Sequence, residues 1–389
     1  MPIYIILSTQ AMAVGLYLAW LVHGRNLLGI VVDPDAGQLE SVPAEELPLI
    51  SIIVPARNEA RNIRHNIQLL LEQTYPNYEL IVVDDRSTDG TSEILHELGE
   101  VHPRLCVVGG AELPEGWAGK PHALVQGVQA ARGEWLCFID ADTFAHPRLL
   151  SSAYHQALKS GADLFSIFTE QELGSFWERV VLPLVFLGLS FGFPPERVND
   201  PARPDAIANG QFILIKRQVY EKVGGHTAVK GHIDEDKAIA TLVKGAGFCL
   251  VLADGRRVAS TRMYTSLPEM WEGWTKNIYL GLLDRLWLLF FGALLGLFVA
   301  ILLPLWLAGG IYWLTVGGNL PALVVTSQAI ILWAYLVWKR FGACRRFHIP
   351  LWYAFTFPLG AFIFTAMMMA SAYNVISGRG VHWKGRRYR

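Results

Sequence analysis

The chain has 389 residues, of which 52% are hydrophobic and only 17% are charged, and its formal net charge at pH 7 is −1. These values exclude a disordered chain, argue against a wholly soluble protein, and exclude a protein that binds nucleic acid through its overall charge. The four cysteines lie far apart without a CxxC pair, so neither a disulfide scaffold nor a zinc ribbon is indicated.

The charge is distributed unevenly along the chain. From Arg285 to the C-terminus there are ten basic residues and no acidic one, which leaves 23 basic and 34 acidic residues for the remainder. The apolar residues are concentrated in the same C-terminal third. The sequence therefore predicts an acidic soluble part that is joined to a basic part embedded in a membrane.

The first predicted element is an uncharged stretch at residues 3–22, long enough to cross about 30 Å of hydrocarbon. No small-residue cleavage site follows it, so we interpret residues 1–24 as an uncleaved anchor rather than a signal peptide. Arg25 comes directly after the apolar stretch. The positive-inside bias then places a linker at 25–48 and the domain at 49–260 in the cytoplasm.

Residues 49–260 alternate between short β-branched runs and amphipathic helical patterns. The predicted elements are strands at 49–54, 80–83, 105–108 and 135–139 and helices at 60–72 and 121–131. This alternation predicts an α/β domain with a Rossmann-like, mostly parallel sheet that is covered on both faces. Ligands bind outside the carboxyl ends of such strands, and the polar motifs of this chain stand there. Neither GxGxxG after the first strand nor GxxxxGK[ST] anywhere is present, which argues against a dinucleotide enzyme and a P-loop protein.

Asp140 and Asp142 directly follow the fourth predicted strand. An isolated pair of this kind is common in turns. Hard carboxylate oxygens at the end of a buried strand also suit Mg²⁺ or Mn²⁺, with substrate phosphates completing the coordination shell. Such an ion would take up the charge that develops on a diphosphate leaving group.

Three further polar positions have both a structural and a functional interpretation. Asp84 and Asp85 either end a strand before a helix or accept hydrogen bonds from a base or ribose. Lys120 is either a solvated lysine or a phosphate ligand beside a helix N-terminus. The cluster Asp234-Glu235-Asp236 either favours the N-terminus of the following helix, predicted at 237–242, or supplies a general base whose pKa rises because carboxylates crowd each other.

Residues 180–193 form a weaker apolar stretch that is too short to span a bilayer. It is either a core helix or a helix lying in the membrane interface, and nearby aromatic residues favour the interface for 173–195. We assign residues 261–285 to an interface segment as well.

The region 286–377 is strongly apolar. Two spans are predicted at 286–308 and 320–338, joined by a turn at Gly317 and Gly318. Four basic residues follow the second span and indicate a return to the cytoplasm.

A third apolar run at 351–377 leaves two alternatives open. It either crosses the membrane fully, or Pro358 and Gly360 break it into a re-entrant hairpin. The hairpin is slightly favoured, because it keeps the basic tail at 378–389 in the cytoplasm.

Taken in order, the motifs resemble those of family-2 glycosyltransferases with the GT-A fold. The matching segments are PARNE, VVDDRSTDGT, GKPHAL, DADT, GQFILIKRQVYEKVGG and DEDKAIA, and the resemblance covers residues 49 to about 280. The flanking apolar segments resemble the membrane-integrated members, namely the hopanoid-associated, carotenoid and ceramide glycosyltransferases. The hopanoid-associated group is the most similar, through WEGWTKN and the tail WKGRRY.

The resemblance implies a role for each motif residue. The residues that it assigns to the nucleotide sugar are Pro55, Arg57, Glu59, Asp84, Asp85, Lys120 and Asp140. The residues that it assigns to the metal, the catalytic base pair, and the sugar and acceptor pocket are respectively Asp142 with Asp140, Asp236 with Glu235, and Gly210 with Gln211 and Trp274. In this scheme Asp236 is the base itself.

One segment departs from the family pattern. Many members carry a Q/R-x-x-R-W motif, and the corresponding residues here are Met270-Trp271-Glu272-Gly273-Trp274. The final Trp is kept, but the first polar residue and the Arg are not, which argues against a processive polysaccharide synthase. Arg262 or Lys276 would be the substitute for the missing positive charge.

The resulting prediction is an inverting hexosyltransferase of the inner cell membrane, multi-pass, with a cytoplasmic catalytic domain. Its partners would be a nucleotide sugar, with UDP as the family expectation, a lipid acceptor, the membrane and a divalent cation, Mg²⁺ or Mn²⁺, without nucleic acid. The alternatives are a processive polysaccharide synthase and a non-catalytic membrane scaffold that retains the nucleotide-sugar fold.

Overall fold

A computed structural model of the chain describes residues 8–12, 15, 29–36, 39, 42–281, 286–377, 381–383 and 386–388. Most of the predicted anchor at 1–24 therefore lies outside the described residues. The described part consists of an α/β domain followed by a group of apolar helices.

Twelve strands occur in the described part of the chain. They are β1 (Ile50–Ala56), β2 (Tyr78–Asp84), β3 (Leu105–Gly109), β4 (Trp135–Phe138), β5 (Thr143–Ala145), β6 (Leu164–Phe168), β7 (Glu170–Gln171), β8 (Ile213–Lys216), β9 (Leu250–Asp254), β10 (Ala259–Thr261), β11 (Val381–Trp383) and β12 (Arg386–Tyr388). Seven of them form one sheet in the order β3-β2-β1-β4-β8-β6-β9, three form a small sheet β5-β10-β7, and β11 and β12 form a hairpin.

The large sheet is mostly parallel, as the sequence predicts. Strands β1 to β4 run parallel to one another, and only β8 is antiparallel to its two neighbours, β4 and β6. Every residue of β1 except Pro55 is buried, as expected for a strand that helices cover on both faces. Because β8 is reversed, the residues that precede it lie at the edge where β1, β2 and β4 end.

The α-helices surround this sheet and continue into the apolar region. They are α1 (Ile63–Leu71), α2 (Thr91–Val101), α3 (Gly119–Ala130), α4 (Leu149–Ser160), α5 (Phe176–Gly192), α6 (Pro195–Val198), α7 (Arg217–Lys222), α8 (Gly225–Ala228), α9 (Glu235–Gly245), α10 (Leu267–Gly281), α11 (Leu286–Leu297), α12 (Leu303–Gly317), α13 (Leu320–Arg346) and α14 (Phe357–Ile376). A π-helical segment (Phe298–Leu302) joins α11 to α12, and a 3₁₀-helix (Leu351–Thr356) precedes α14.

Part of the predicted linker at 25–48 belongs to the fold. Val31 pairs in parallel with Asp254 of β9, and the backbone N–H of Val32 donates to the Asp254 carbonyl at 2.8 Å. The Val32 side chain is fully buried. This segment therefore extends the edge of the large sheet.

Helix α5 contains most of the weak apolar stretch at 180–193 and lies within the predicted range 173–195. Ser175 and Glu178 form a capping box, which satisfies two free N–H groups at the helix N-terminus. Val180, Val181 and Val185 are buried in a hydrophobic cluster with residues of α10, α13 and α14. This cluster joins the α/β domain to the apolar helices, and the interfacial position of α5 stays a prediction.

Three segments among the described residues are long and apolar enough to cross a membrane: Leu289–Gly317, Leu320–Arg346 and Leu351–Asn374. The first two match the predicted spans, and both continue further than expected. The predicted turn is confirmed, because Gly318 ends α12 with a φ of 52°, a conformation that favours glycine.

The predicted break at Pro358 and Gly360 is wrong. Helix α14 runs unbroken from Phe357 to Ile376. Pro358 falls in its first turn, where the missing N–H has no helical partner to lose. Gly360 instead allows close packing, since a Cβ there would lie 2.5 Å from the carbonyl oxygen of Val180. The following hairpin packs against α10, and the membrane side of the tail stays a prediction.

Candidate active site

The loops that follow β1 and β2 are fastened to each other by hydrogen bonds. The Asn58 N–H donates to Ser87 Oγ at 3.0 Å, the Glu59 N–H donates to Thr91 Oγ1 at 2.8 Å, and the Ala60 N–H donates to an Asp89 carboxylate oxygen at 3.0 Å. Several polar side chains of the loop that follows β2 therefore hold the two loops together. Arg57 and Asp85 line the cavity beside them.

Asp84 and Asp85 have different surroundings. The Asp84 carboxylate accepts hydrogen bonds from the Ser87 N–H at 3.1 Å and from the Ser92 hydroxyl, so it stabilises the loop and the start of α2. Asp85 is buried, and its carbonyl accepts a hydrogen bond of 2.6 Å from Arg57 Nη1. Of the two, Asp85 lines the cavity and Asp84 does not.

Lys120 lies in the first turn of α3, between two carboxylates. Its Nζ is 2.6 Å from Asp140 Oδ1 and 2.7 Å from Glu235 Oε1. Burial acts to lower the pKa of Lys120, but the negative charges of Asp140 and Glu235 outweigh it and hold the pKa well above the usual value. The ammonium group therefore stays charged and connects β4 to α9.

Asp236 lies opposite this group in the first turn of α9. Its Oδ2 accepts the Gly210 N–H at 3.0 Å, and its Oδ1 accepts the Lys237 N–H at 2.7 Å. Burial, together with the adjacent Glu235 charge, raises the pKa of Asp236 to about 6. The absence of a side chain at Gly210 leaves room for both groups, because a Cβ there would lie 3.2 Å from Asp236 Oδ2 and 2.8 Å from Lys120 Nζ.

The region that replaces the family's Q/R-x-x-R-W motif lies on α10. Trp274 is buried against Phe186, with ring centroids 6.2 Å apart. Lys276 lines the cavity, and burial lowers the pKa of its ammonium to about 8 in spite of nearby carboxylates. Arg262 instead pairs with the buried Glu178 at 3.2 Å. Lys276 is therefore the candidate for the missing positive charge.

One cavity of about 1840 Å³ brings the predicted site residues together. The predicted residues that line it are Pro55, Arg57, Glu59, Asp85, Lys120, Asp140, Asp142, Gly210, Gln211, Glu235, Asp236 and Trp274. Its other half continues between apolar side chains of α5, α11, α13 and α14. The cavity thus connects the polar edge of the sheet with the apolar helices.

The residues present fit a divalent cation that is completed by substrate phosphates. Within the described ranges, no group of three or more His, Cys, Asp or Glu side chains is arranged around a common metal position. Two carboxylates, Asp140 and Asp142, line the cavity, and Mg²⁺ often takes one or two carboxylates with phosphate and water. The Thr261 hydroxyl donates to the Asp142 carbonyl at 2.9 Å and fixes the backbone there.

Sequence reasoning missed two features of this cavity. Arg340 of α13 lines it, although its position near the end of an apolar run marks only a membrane boundary in the sequence. Pro183 lies inside α5, where it removes a backbone donor. The sequence does contain a signal for Arg340: it lies four positions after Leu336 and three before Ala343, which places the three residues on one face of a helix.

The fold and the site define an α/β domain that gathers carboxylates at the strand ends and opens toward membrane-type helices. Residues 51–224 match the family model described as Glycosyl transferase family 2. The chain is 29% identical over 237 residues to the 4,4'-diaponeurosporenoate glycosyltransferase of Staphylococcus aureus (strain USA300), covering 60% of this chain and 61% of the relative. It thus spans about three fifths of the length of the curated relatives that it matches.

A solved structure is similar over almost the whole chain. It is mannosyltransferase PcManGT from Pyrobaculum calidifontis in complex with GDP-Man and Mn²⁺, with a TM-score of 0.53, 19% identity, and coverage of 97% of this chain and 99% of that chain. The chain therefore carries a Glycosyl transferase family 2 domain with the GT-A fold, followed by apolar helices. The predictions of family and fold are confirmed.

Proposed function

We propose that this chain is an inverting hexosyltransferase that moves a sugar from a nucleotide donor to a membrane lipid. The continuous cavity carries the proposal, because its polar half suits a nucleotide sugar and its apolar half suits a lipid. The names of the similar proteins support it, since one contains diaponeurosporenoate and the other GDP-Man and Mn²⁺. The basic end of α13 supports a catalytic domain on the cytoplasmic side of the inner membrane.

In this proposal Asp236 removes the proton from the acceptor oxygen. The Gly210 and Lys237 N–H groups orient its carboxylate. A pKa of about 6 makes it a stronger base than an ordinary carboxylate, while it remains mostly ionised at pH 7. Attack from the face opposite the diphosphate in one displacement inverts the anomeric centre.

The leaving group requires positive charge, for which this chain offers two sources. Asp142 and Asp140 would hold a divalent cation, which neutralises developing charge on the diphosphate. Lys276 and Lys120 line the same cavity and would bind phosphate oxygens. Asp85, Arg57 and Glu59 would surround the nucleoside.

The test is transfer by the purified full chain in lipid nanodiscs. Separate reactions receive UDP-glucose, UDP-N-acetylglucosamine or GDP-mannose with a membrane lipid extract, and glycolipids are identified by mass spectrometry. Asp236→Asn should lower turnover by about 10²–10⁴-fold while donor affinity stays near that of the unsubstituted protein. Asp200→Asn, at an aspartate whose side chain is 41% exposed and which is not among the cavity-lining residues, is the control.

Three results would contradict the proposal in different ways. Unchanged turnover in Asp236→Asn rejects Asp236 as the base. A ladder of products instead of one sugar per lipid supports the processive synthase. Absence of transfer and of metal-dependent donor hydrolysis with every donor supports the non-catalytic scaffold.

A further inference from the structure

Arg340 is a buried cation in the cavity wall. Its side chain belongs to α13, the residue is 5% exposed, and it is one of the residues that line the cavity. Among the described residues no carboxylate forms an ion pair with it. Lys339 and Arg346 of the same helix also line the cavity.

One nitrogen of Arg340 has a structural role. Its Nη2 donates to the carbonyls of Arg179 and Val180 at 2.8 and 3.1 Å. In a regular helix the Arg179 carbonyl would accept the N–H of residue 183, but Pro183 has none. Arg340 therefore satisfies a carbonyl that proline leaves free, and it fastens α13 to α5.

The other two nitrogens have no such partner. Within the part of the chain that the structure describes, Nε and Nη1 of Arg340 are buried and make no hydrogen bond. A buried guanidinium without a counter-charge is costly, because it loses hydration without compensation. Nε carries one unused N–H donor and Nη1 carries two, and phosphate or carboxylate oxygens are the acceptors to which guanidinium donors bind most strongly.

We propose that Arg340 binds the anionic headgroup of a lipid, a phosphate or carboxylate, whose chains lie along the apolar half of the cavity. The walls there are apolar, with Leu336, Ala361 and Phe364 among the lining residues. A free phosphate ion would satisfy the guanidinium but not this apolar surface. The role of this lipid as acceptor rests on the proposed function, whereas its binding is tested without sugar transfer.

The experiment measures thermal unfolding of the full chain in maltoside detergent without donor sugar. The additives are dioleoyl phosphatidylglycerol, oleate, dioleoyl phosphatidylcholine and inorganic phosphate, each titrated separately. A ligand that binds the folded state raises the unfolding midpoint with concentration. The unsubstituted protein should respond to phosphatidylglycerol and oleate more strongly than to phosphatidylcholine or inorganic phosphate.

The variants separate anion binding from the structural contact. Arg340→Gln alone leaves the Arg179 carbonyl without a partner, which destabilises α5 independently of any lipid. It is therefore combined with Pro183→Ala, which supplies the missing N–H within α5. Phosphatidylglycerol should bind the double variant about tenfold more weakly than it binds Pro183→Ala alone. Arg345→Gln, at an exposed arginine of the same helix, should keep the full response.

Three outcomes would overturn the proposal that Arg340 binds an anionic lipid headgroup. An equal response in the double variant and in Pro183→Ala shows that Arg340 does not bind the headgroup. An equal response to phosphatidylcholine removes the need for an anion, and an equal response to inorganic phosphate removes the lipid. Failure of sugar transfer in the nanodisc assay, with this binding intact, rejects only the proposed function.

Discussion

Lys120 determines the charge balance of the site at the scale of single residues. It neutralises Asp140 and Glu235 through contacts of 2.6 and 2.7 Å, and Gly210 leaves the space that its ammonium group occupies. Asp236 remains as the carboxylate held by backbone N–H groups rather than by a direct ion pair among the contacts described. The two adjacent acidic residues of α9 thus differ in their partners: Glu235 pairs with Lys120, whereas Asp236 accepts hydrogen bonds from backbone N–H groups.

The pKa of Asp236 leads to a prediction about the rate of transfer. Because this pKa is raised to about 6 and a general base must be ionised, we expect the rate to increase with pH up to about 6 and to level off above 7. Initial rates between pH 5 and 8 at saturating donor measure this. A rate that stays constant from pH 5 upward would show that another group accepts the proton.

The ionisation of Asp236 also affects the stability of the fold, which decreases as the pH rises, whereas the rate of transfer increases. A folded-state pKa above the ordinary aspartate value of 3.8 means that the folded protein holds this proton more tightly than the unfolded chain. The stabilisation is therefore complete at pH below 3.8 and is lost as the pH rises through about 6. In donor-free protein with a chelator, Asp236→Asn should increase the free energy of unfolding at pH 7 by about 1–3 kcal/mol.

At the scale of secondary-structure elements, the close contact of α5 with α14 depends on Gly360. We expect Gly360→Ala to lower the free energy of unfolding by about 1–3 kcal/mol, because its Cβ would lie 2.5 Å from the Val180 carbonyl oxygen and would force the helices apart. Thermal unfolding in detergent measures this. Gly309→Ala is the matched control in α12, since nothing lies within 4 Å of its Cβ position. Equal midpoints for the two variants would refute the packing argument.

Elements with a strong local pattern could be predicted from the sequence, and contacts between distant segments could not. The strands β1, β2 and β4 follow from β-branched runs with polar residues at their ends, and Asp85 and Asp140 line one cavity because β2 and β4 end at the same edge of the sheet. Asp236 reaches the same cavity from the first turn of α9. The break at Pro358 was mispredicted because a proline at the start of a helix and one in its interior are distinguished only by where the helix begins. Arg340 contacts a carbonyl 161 residues away, which no periodicity reveals.

At the scale of the whole molecule, the proposed function assigns donor binding to the polar half of the cavity and lipid entry to its apolar half. Ala343→Phe adds bulk to the apolar wall formed by α13, so we expect a large loss of transfer to lipid with little change in donor affinity. Ile331→Phe, at an exposed position of the same helix outside the cavity lining, should leave both unchanged. Transfer rates in nanodiscs and donor titrations by calorimetry provide the two values. A parallel loss of both would place the substituted wall in the donor site instead.

The continuity of this cavity has a consequence for how the two substrates arrive under the proposed function. A nucleotide diffuses through three dimensions of water, whereas a lipid exchanges sideways within the two dimensions of a leaflet. The velocity of such a protein would follow the mole fraction of acceptor in the bilayer, and diluting the vesicles at fixed composition would leave its occupancy by lipid unaltered.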